Sequence, residues 1–354
     1  MGEILGLGFS HHPGLIGPDE DMAHTLVRAL TRPDVPSEWK NPENWPDAMQ
    51  EEWSTDHGLA AAHRHREQFS GNLRKLREEL DAFNPDLVVV WGDDQYENFK
   101  EDVVPSFCVY AFEDTDTYPL RRYPDGNFWN EETEKNFPIK VNTEAAKYLA
   151  RGLLGEKIDV AYSYKPLHYE GGLSHAFHRV PLYLDYDRKG WNYPMVPLAV
   201  NCYGSRVLIN RGGAYPVGKP IELAEGDLDP PGPSPDRCME VGAAVARIMA
   251  KSPWKTALIA SSSWSHAFLV PKNYFIHPDM EADRWMFERL SEGDYASLHQ
   301  RTSTEIEDAG QQEVLNWYCL AGAMEELGRK VPDHIDFAET HIFNSNKCFA
   351  VYKP

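Results

Sequence analysis

The sequence predicts a wound α/β fold with a mostly parallel sheet, and three observations carry that expectation. The apolar runs 4–9, 87–91 and 257–260 lack the polar alternation of half-exposed strands, so they predict strands covered on both faces. Amphipathic helical spacing precedes the second and third runs, which gives the strand-helix-strand order of a parallel crossover. Each run also stops at a cluster of polar, chemically capable residues. Ligands collect beyond the carboxyl ends of strands in sheets of this kind.

The first run, Ile4-Leu5-Gly6-Leu7-Gly8-Phe9, ends at Ser10-His11-His12-Pro13. Phe69, Leu73, Leu76, Leu80 and Phe83 then recur at helical spacing and share one face, and Asn84-Pro85 stops that helix. The second run follows at once and ends at Gly92-Asp93-Asp94-Gln95. Similar periodicity predicts helices over 145–154 and 239–249, the latter leading into the third run, which ends in the segment from Ser261 to His266. Three stretches, 33–56, 113–140 and 204–236, are rich in Pro, Gly, aromatic and polar residues without periodicity, and predict long loop insertions forming a lid or a subunit contact. No composition break divides the chain, so residues 1–354 read as one domain.

Composition narrows the function classes. Thirty-five Lys and Arg against 55 Asp and Glu leave a net charge of −20, which argues against nucleic acid or an anionic membrane as partner. No stretch approaches the roughly 18 apolar residues of a membrane span. The start Met1-Gly2-Glu3-Ile4 lacks the basic region of a secretion signal. The five scattered cysteines show no CxxC spacing, which fits a reducing cytoplasm and excludes a thiolate zinc site. Walker, GxGxxG, GxSxG and HExxH motifs are absent as well.

The candidate residues admit more than one role. In His11-His12 neighbouring side chains point to opposite faces, so at most one aims into a site while the other packs or is solvated. Asp93-Asp94 suits metal binding, helix capping or solvent exposure. His175 and His178 follow Gly171-Gly172 and suit a general base or a backbone-bonded structural role. Ser265-His266 is similar. Glu281 opens a helix, where the dipole favours an acid whatever else it does. His57, His63 and His65 read as a solvated, histidine-rich helix surface.

Taken in order, these clusters resemble the class III extradiol ring-cleaving dioxygenases, of the type formed by the catalytic (B) subunit of protocatechuate 4,5-dioxygenase. Ser10-His11-His12-Pro13 looks like the family's Ser-His-x-Pro. Asn84-Pro85-Asp86 with its strand, Asp94-Gln95, Phe99 and Val104-Pro105-Ser106-Phe107 follow the Pro-Asp strand, Asn-Asp-His and Ile-Pro-x-Phe segments. Leu173-Ser174-His175 resembles the Asp-His-Gly turn, and Ser265-His266, Glu313, Trp317, Gly322-Ala323-Met324 and Ser345-Asn346 complete the pattern.

The resemblance implies a single wound α/β domain with long insertions that cleaves a catechol-type or related phenolic ring with O2. It implies an Fe(II) site, with Mn or Zn as alternatives, held by His11, Gln95 and Glu281. Gln95 stands where the family has an imidazole, so Asp94, His12, His57 or His63 are substitute ligands. His175 would be the acid/base, and His266 would hydrogen-bond substrate or oxygen. The implied partners are a small aromatic substrate and O2, in a cytoplasmic homo-oligomer with room for a small accessory subunit. Two alternatives stay open: a metal-dependent, hydrolase-like non-redox enzyme using His175 as base, and a metal-free partner subunit.

Overall fold

A computed structural model describes residues 2–168, 171–206 and 225–354. Eight strands form one sheet: β1 (Ile4–Phe9), β2 (Leu87–Asp93), β3 (Phe107–Tyr110), β4 (Ala161–Ser163), β5 (Met195–Val200), β6 (Thr256–Ser261), β7 (His334–Ala338) and β8 (Lys347–Tyr352). Their order across the sheet is β4-β3-β5-β2-β6-β1-β8-β7. The centre is parallel, with β2 between β5 and β6, and β1 on the other side of β6. Antiparallel pairing enters at β3–β5, β1–β8 and β7–β8.

The helices are α1 (His24–Leu30), α2 (Asp47–Trp53), α3 (Leu59–Phe83), α4 (Thr143–Gly155), α5 (His175–Leu184), α6 (Pro235–Ala250), α7 (Met280–Glu292), α8 (Tyr295–Gln300), α9 (Ser303–Asp308) and α10 (Leu315–Glu326). They cover both sheet faces, as the unbroken apolar runs predict. In β2, Leu87, Val89 and Trp91 enter the core beneath α4, α6 and α10, while Val88 and Val90 enter the core beneath α3 and α5. All five are fully buried, so two apolar layers are stabilised by one strand. The α3 stripe from Phe69 to Phe83 is buried as its spacing predicts, and Asn84 ends the helix in the left-handed conformation before Pro85.

Segment 33–56 departs from the expected loop. It holds 3-10 turns at Ser37–Lys40 and Pro42–Asn44 and then α2, with Pro36, Pro42 and Pro46 at or just before their first residues. Trp45 and Met49 from this segment are buried. Segment 113–140 is irregular apart from isolated bridges at Thr115–Ile139 and at Val141 beyond its end. Most of the expected loop at 204–236 lies outside the described residues.

Helices α6 and α10 cross in backbone contact. A Cβ at Gly242 would sit 1.8 Å from the Cys319 carbonyl oxygen, and one at Gly322 would sit 2.1 Å from that of Met239. Only hydrogen fits there, and the crossing fixes the start of α10. Gly322→Ala is therefore expected to cost roughly 1–3 kcal/mol, the usual range for overpacking a core. A urea-denaturation midpoint at the wild-type value would refute that close contact.

Candidate active site

Three central parallel strands end side by side. Phe9 pairs with Ser261 across β1–β6, and Gly92 pairs with Ser261 across β2–β6. Residues just beyond those ends therefore meet, although some 80 to 250 positions separate them in sequence. His11 leaves β1, Asp93 closes β2, and Ser263 and His266 follow β6. Side chains tie the ends together: the His11 Nδ1 lies 3.0 Å from Ser261 Oγ, and the Ser263 hydroxyl donates to the His11 carbonyl. Two further groups arrive from helix starts. His175 is the first residue of α5, and Glu313 sits in the 3-10 turn Gln312–Val314 that runs into α10.

His11, Asp93, His175 and Glu313 each present a ligand atom, and these atoms all lie within 4.8 Å of one another. His11 Nε2 is 3.5 Å from Glu313 Oε2, and His175 Nε2 is 3.6 Å from Asp93 Oδ2. All four residues are buried. The cluster has unmet demand: His11 Nε2 and both Asp93 carboxylate oxygens are buried without a hydrogen-bond partner.

Electrostatics point the same way. Burial, then the Arg179 charge, holds the His11 and His175 imidazoles well below their usual range, so both are neutral with a free lone pair. Burial pushes the Asp93 carboxyl up, with Glu313 and Glu97 adding to it, and burial pushes Glu313 up to about 7. Two crowded, desolvated acids beside two neutral imidazoles call for positive charge, which a divalent cation would supply. The four side chains can hold a metal ion.

The surroundings position this group. His175 Nδ1 lies 2.9 Å from Glu97 Oε2, which also accepts from the His175 backbone N–H at 3.1 Å. His266, whose pKa burial lowers to about 4, places Nε2 3.3 Å from Glu313 Oε1. The Ser263 N–H donates to Glu313 Oε2 at 3.0 Å, and the Gln95 amide donates to Glu313 Oε1. His11, Gln95, His175, His266 and Glu313 line one cavity of about 880 Å³.

Of the expected site residues, the structure thus brings together His11, Gln95, His175 and His266. Gln95 meets the cluster as a hydrogen-bond donor to Glu313. Glu281 is a correction: it is exposed on the first turn of α7 and does not line the cavity. Two residues on, and so on a different helix face, Asp283 is buried; it accepts from Ser265 N–H, the Gln311 amide and the Asn346 amide, bracing the segment that carries His266. In place of Glu281, Glu313 joins Asp93 as a carboxylate at the site.

The substitute ligands are corrected as well. Asp94 faces away from the cluster and caps a turn, accepting from the N–H groups of Glu97, Asn98 and Phe99 and the Tyr203 hydroxyl. His12 is buried outside the cavity lining, so the pair divides between two faces, though neither ring is solvated. His57 is exposed and stacks flat on Trp53. His63 is exposed beside Asp19, whereas His65, expected on a solvated face, is buried against Phe343.

Sequence reasoning weighed Asp93-Asp94 for metal binding but carried only Asp94 forward as a ligand, and it missed Glu97 and Arg179. Asp93 had a signal, as the last residue of a strand buried on both faces. Arg179 had one too, standing one helical turn after His175.

Comparison with known proteins adds similarities in sequence. Residues 208–350 match the family described as the catalytic LigB subunit of aromatic ring-opening dioxygenase. The chain is 27% identical over 274 residues to a 2,3-dihydroxyphenylpropionate/2,3-dihydroxicinnamic acid 1,2-dioxygenase of Paraburkholderia phymatum, covering 72% of this chain and 80% of the relative. It is 28% identical over 275 residues, with the same coverage, to the protein of that name from Burkholderia vietnamiensis. A shorter match, 31% over 130 residues, covers 36% of this chain and 34% of a relative from Dechloromonas aromatica. With its α/β sheet and its buried His/Asp/His/Glu cluster, the chain is similar to the ring-opening dioxygenases that these comparisons name, with the family match confined to residues 208–350.

Proposed function

We propose that the protein cleaves the ring of a catechol-type or related phenolic substrate with O2, both oxygen atoms entering the ring-opened product. The observation that supports this most is the convergence of His11, Asp93, His175 and Glu313, three of which (His11, His175 and Glu313) line a cavity wide enough for an aromatic ring. The names of these relatives supply the substrate class and the oxidant.

In this reading His11, Asp93 and Glu313 hold Fe(II), and Gln95 and Ser263 N–H orient the Glu313 carboxylate. Bound there, the ion would bring catecholate and dioxygen into one coordination sphere and make their encounter intramolecular. The remaining work belongs to side chains. With the Nδ1 proton of His175 directed at Glu97, its Nε2 has the lone pair that takes a proton from a substrate hydroxyl and later returns it. His266 lines the same cavity and offers a hydrogen bond there. One imidazole with two carboxylates is a harder donor set than two imidazoles with one, so Mn(II) is the principal competitor for the site.

The test is metal analysis of protein purified without added metal, followed by oxygen uptake with a panel of catechols. Near-stoichiometric iron with catechol-dependent uptake is the expected result. A flat trace from both iron-loaded and manganese-loaded protein overturns the reading and returns the hydrolase-like and metal-free alternatives.

A cytoplasmic homo-oligomer, with room for a small accessory subunit, belongs to the same proposal. No helix among the described residues is long and apolar enough to cross a membrane, and all five cysteines are free and buried. Sedimentation of the purified protein checks the assembly; a monomer at all concentrations removes it.

A further inference from the structure

The cavity contradicts the charge of the chain. Against a net charge of −20, its described lining holds four arginines, Arg28, Arg32, Arg122 and Arg179, and one carboxylate, Glu313. Three of the four are readily explained as structure or rim. Arg32 pairs with Asp34 at 2.6 Å and lies over the Phe275 ring; Arg122 pairs with Glu97 at 3.2 Å; Arg28 is exposed.

Arg179 is different. It is only 6% exposed, it lines the cavity, it makes no ion pair with a described carboxylate, and its Nε has no hydrogen-bond partner. A buried guanidinium is ordinarily paired, because stripping it of water without compensation is costly. The Tyr123 hydroxyl lies within its reach but is itself committed to the Pro13 carbonyl, and Glu97 and Glu313 feel the Arg179 charge without pairing with it. Arg179 therefore carries unspent donors into the cavity.

Its position gives those donors a meaning. Arg179 follows His175 by four residues on α5, so the two share a face about 6 Å apart along the axis. A group bound at Arg179 would sit roughly one ring's breadth from the base. A planar guanidinium recognises a carboxylate through two parallel N–H···O bonds.

We infer that Arg179 is an anion anchor that selects aromatic substrates bearing a carboxylate side group, received through the arginine-lined mouth and held with the ring over His175. This inference rests on the ring-cleavage reading for the identity of the ring, and on Arg179 alone for the charge. The anchor makes Arg179 a specificity-determining residue and leaves the proton transfer to His175.

The test needs no variant to begin with. Dihydroxybenzoate and dihydroxyphenylpropionate are each compared with the matching carboxamide, by calorimetric binding and by oxygen uptake. The acids are expected to bind roughly 10–100-fold more tightly than the amides, the advantage of a charge-assisted over a neutral hydrogen-bonded contact. In Arg179→Gln that ratio is expected to fall to near one, through weaker acid binding with amide binding unchanged; Arg179→Lys is expected to retain part of it. Equal binding of acid and amide by the wild type, or no binding of any of the four, overturns the inference whether or not the variants fold. The two readings separate cleanly. Acid-selective binding without oxygen uptake sustains the anchor and defeats ring cleavage, whereas equal uptake of acids and amides does the reverse.

Discussion

Replacing His175 with alanine is expected to lower turnover by roughly 10²–10⁴-fold, the range that a positioned general base contributes. The expectation rests on three features of the residue. Its imidazole is neutral, since burial and the Arg179 charge hold its pKa well below the ordinary value, so it can accept a proton without first losing one. Its Nδ1 is committed to Glu97, which fixes the ring orientation and leaves Nε2 toward the cluster. It opens a helix braced against β2, where the Ser174 hydroxyl donates to the Asp93 carbonyl at 3.0 Å. Steady-state oxygen uptake at saturating substrate measures the effect, and a rate within a few-fold of wild type removes His175 from the proton transfer. His175→Gln, which keeps a polar side chain of similar reach, is expected to fail nearly as badly, because an amide cannot take up the proton. Bound metal should survive in both variants if His11, Asp93 and Glu313 suffice to hold it.

Removal of the Glu313 carboxylate should empty the site. Glu313→Gln is expected to weaken metal binding by more than about 10²-fold, beyond the 10–100-fold cost of losing an outer-shell partner. The reason is its place at the centre of the cluster. His11 and His266 both reach it, and Gln95 and Ser263 N–H both donate to it. Glu281→Gln is the matching control. That side chain is exposed on α7 and absent from the cavity lining, so metal content and rate should match wild type. Metal analysis after gel filtration reads both variants. Metal retained by Glu313→Gln and lost from Glu281→Gln would reverse the assignment made here.

The contrast between those two glutamates shows how far one sequence reaches. Both open a helical segment after a polar stretch, and the dipole favours an acid at either place. What separates them is whether the segment is aimed at the sheet ends, and that is decided by packing. The backbone contact of α6 with α10 through Gly242 and Gly322 sets the start of α10 over the β6 end. On α7 the inward position went to Asp283, two residues beyond Glu281.

The same holds for Gln95 and the two aspartates before it. A glutamine where the family resemblance implies an imidazole is visible in the chain, and it raises the question of which group stands in for that ligand. The answer lay in a strand parity: Asp93 is the last residue of β2 with its carboxylate toward the cluster, and Asp94 turns to the opposite side to cap the following turn. Arg179 was hidden for another reason. Its significance is the absence of a partner, and a missing ion pair can be seen only when every neighbour is in place.

The sequence by itself determined the layered α/β architecture, because buried parallel strands must be apolar on both faces and their covering helices must repeat at 3.6 residues. It also offered His11, His175 and His266 as candidates, since ligands collect beyond the carboxyl ends of strands in such sheets. Only the tertiary structure decided which carboxylates join them. Ligand sets are built from groups far apart in the chain, and their meeting depends on register, helix rotation and a glycine-to-backbone contact, none of which leaves a local periodic trace.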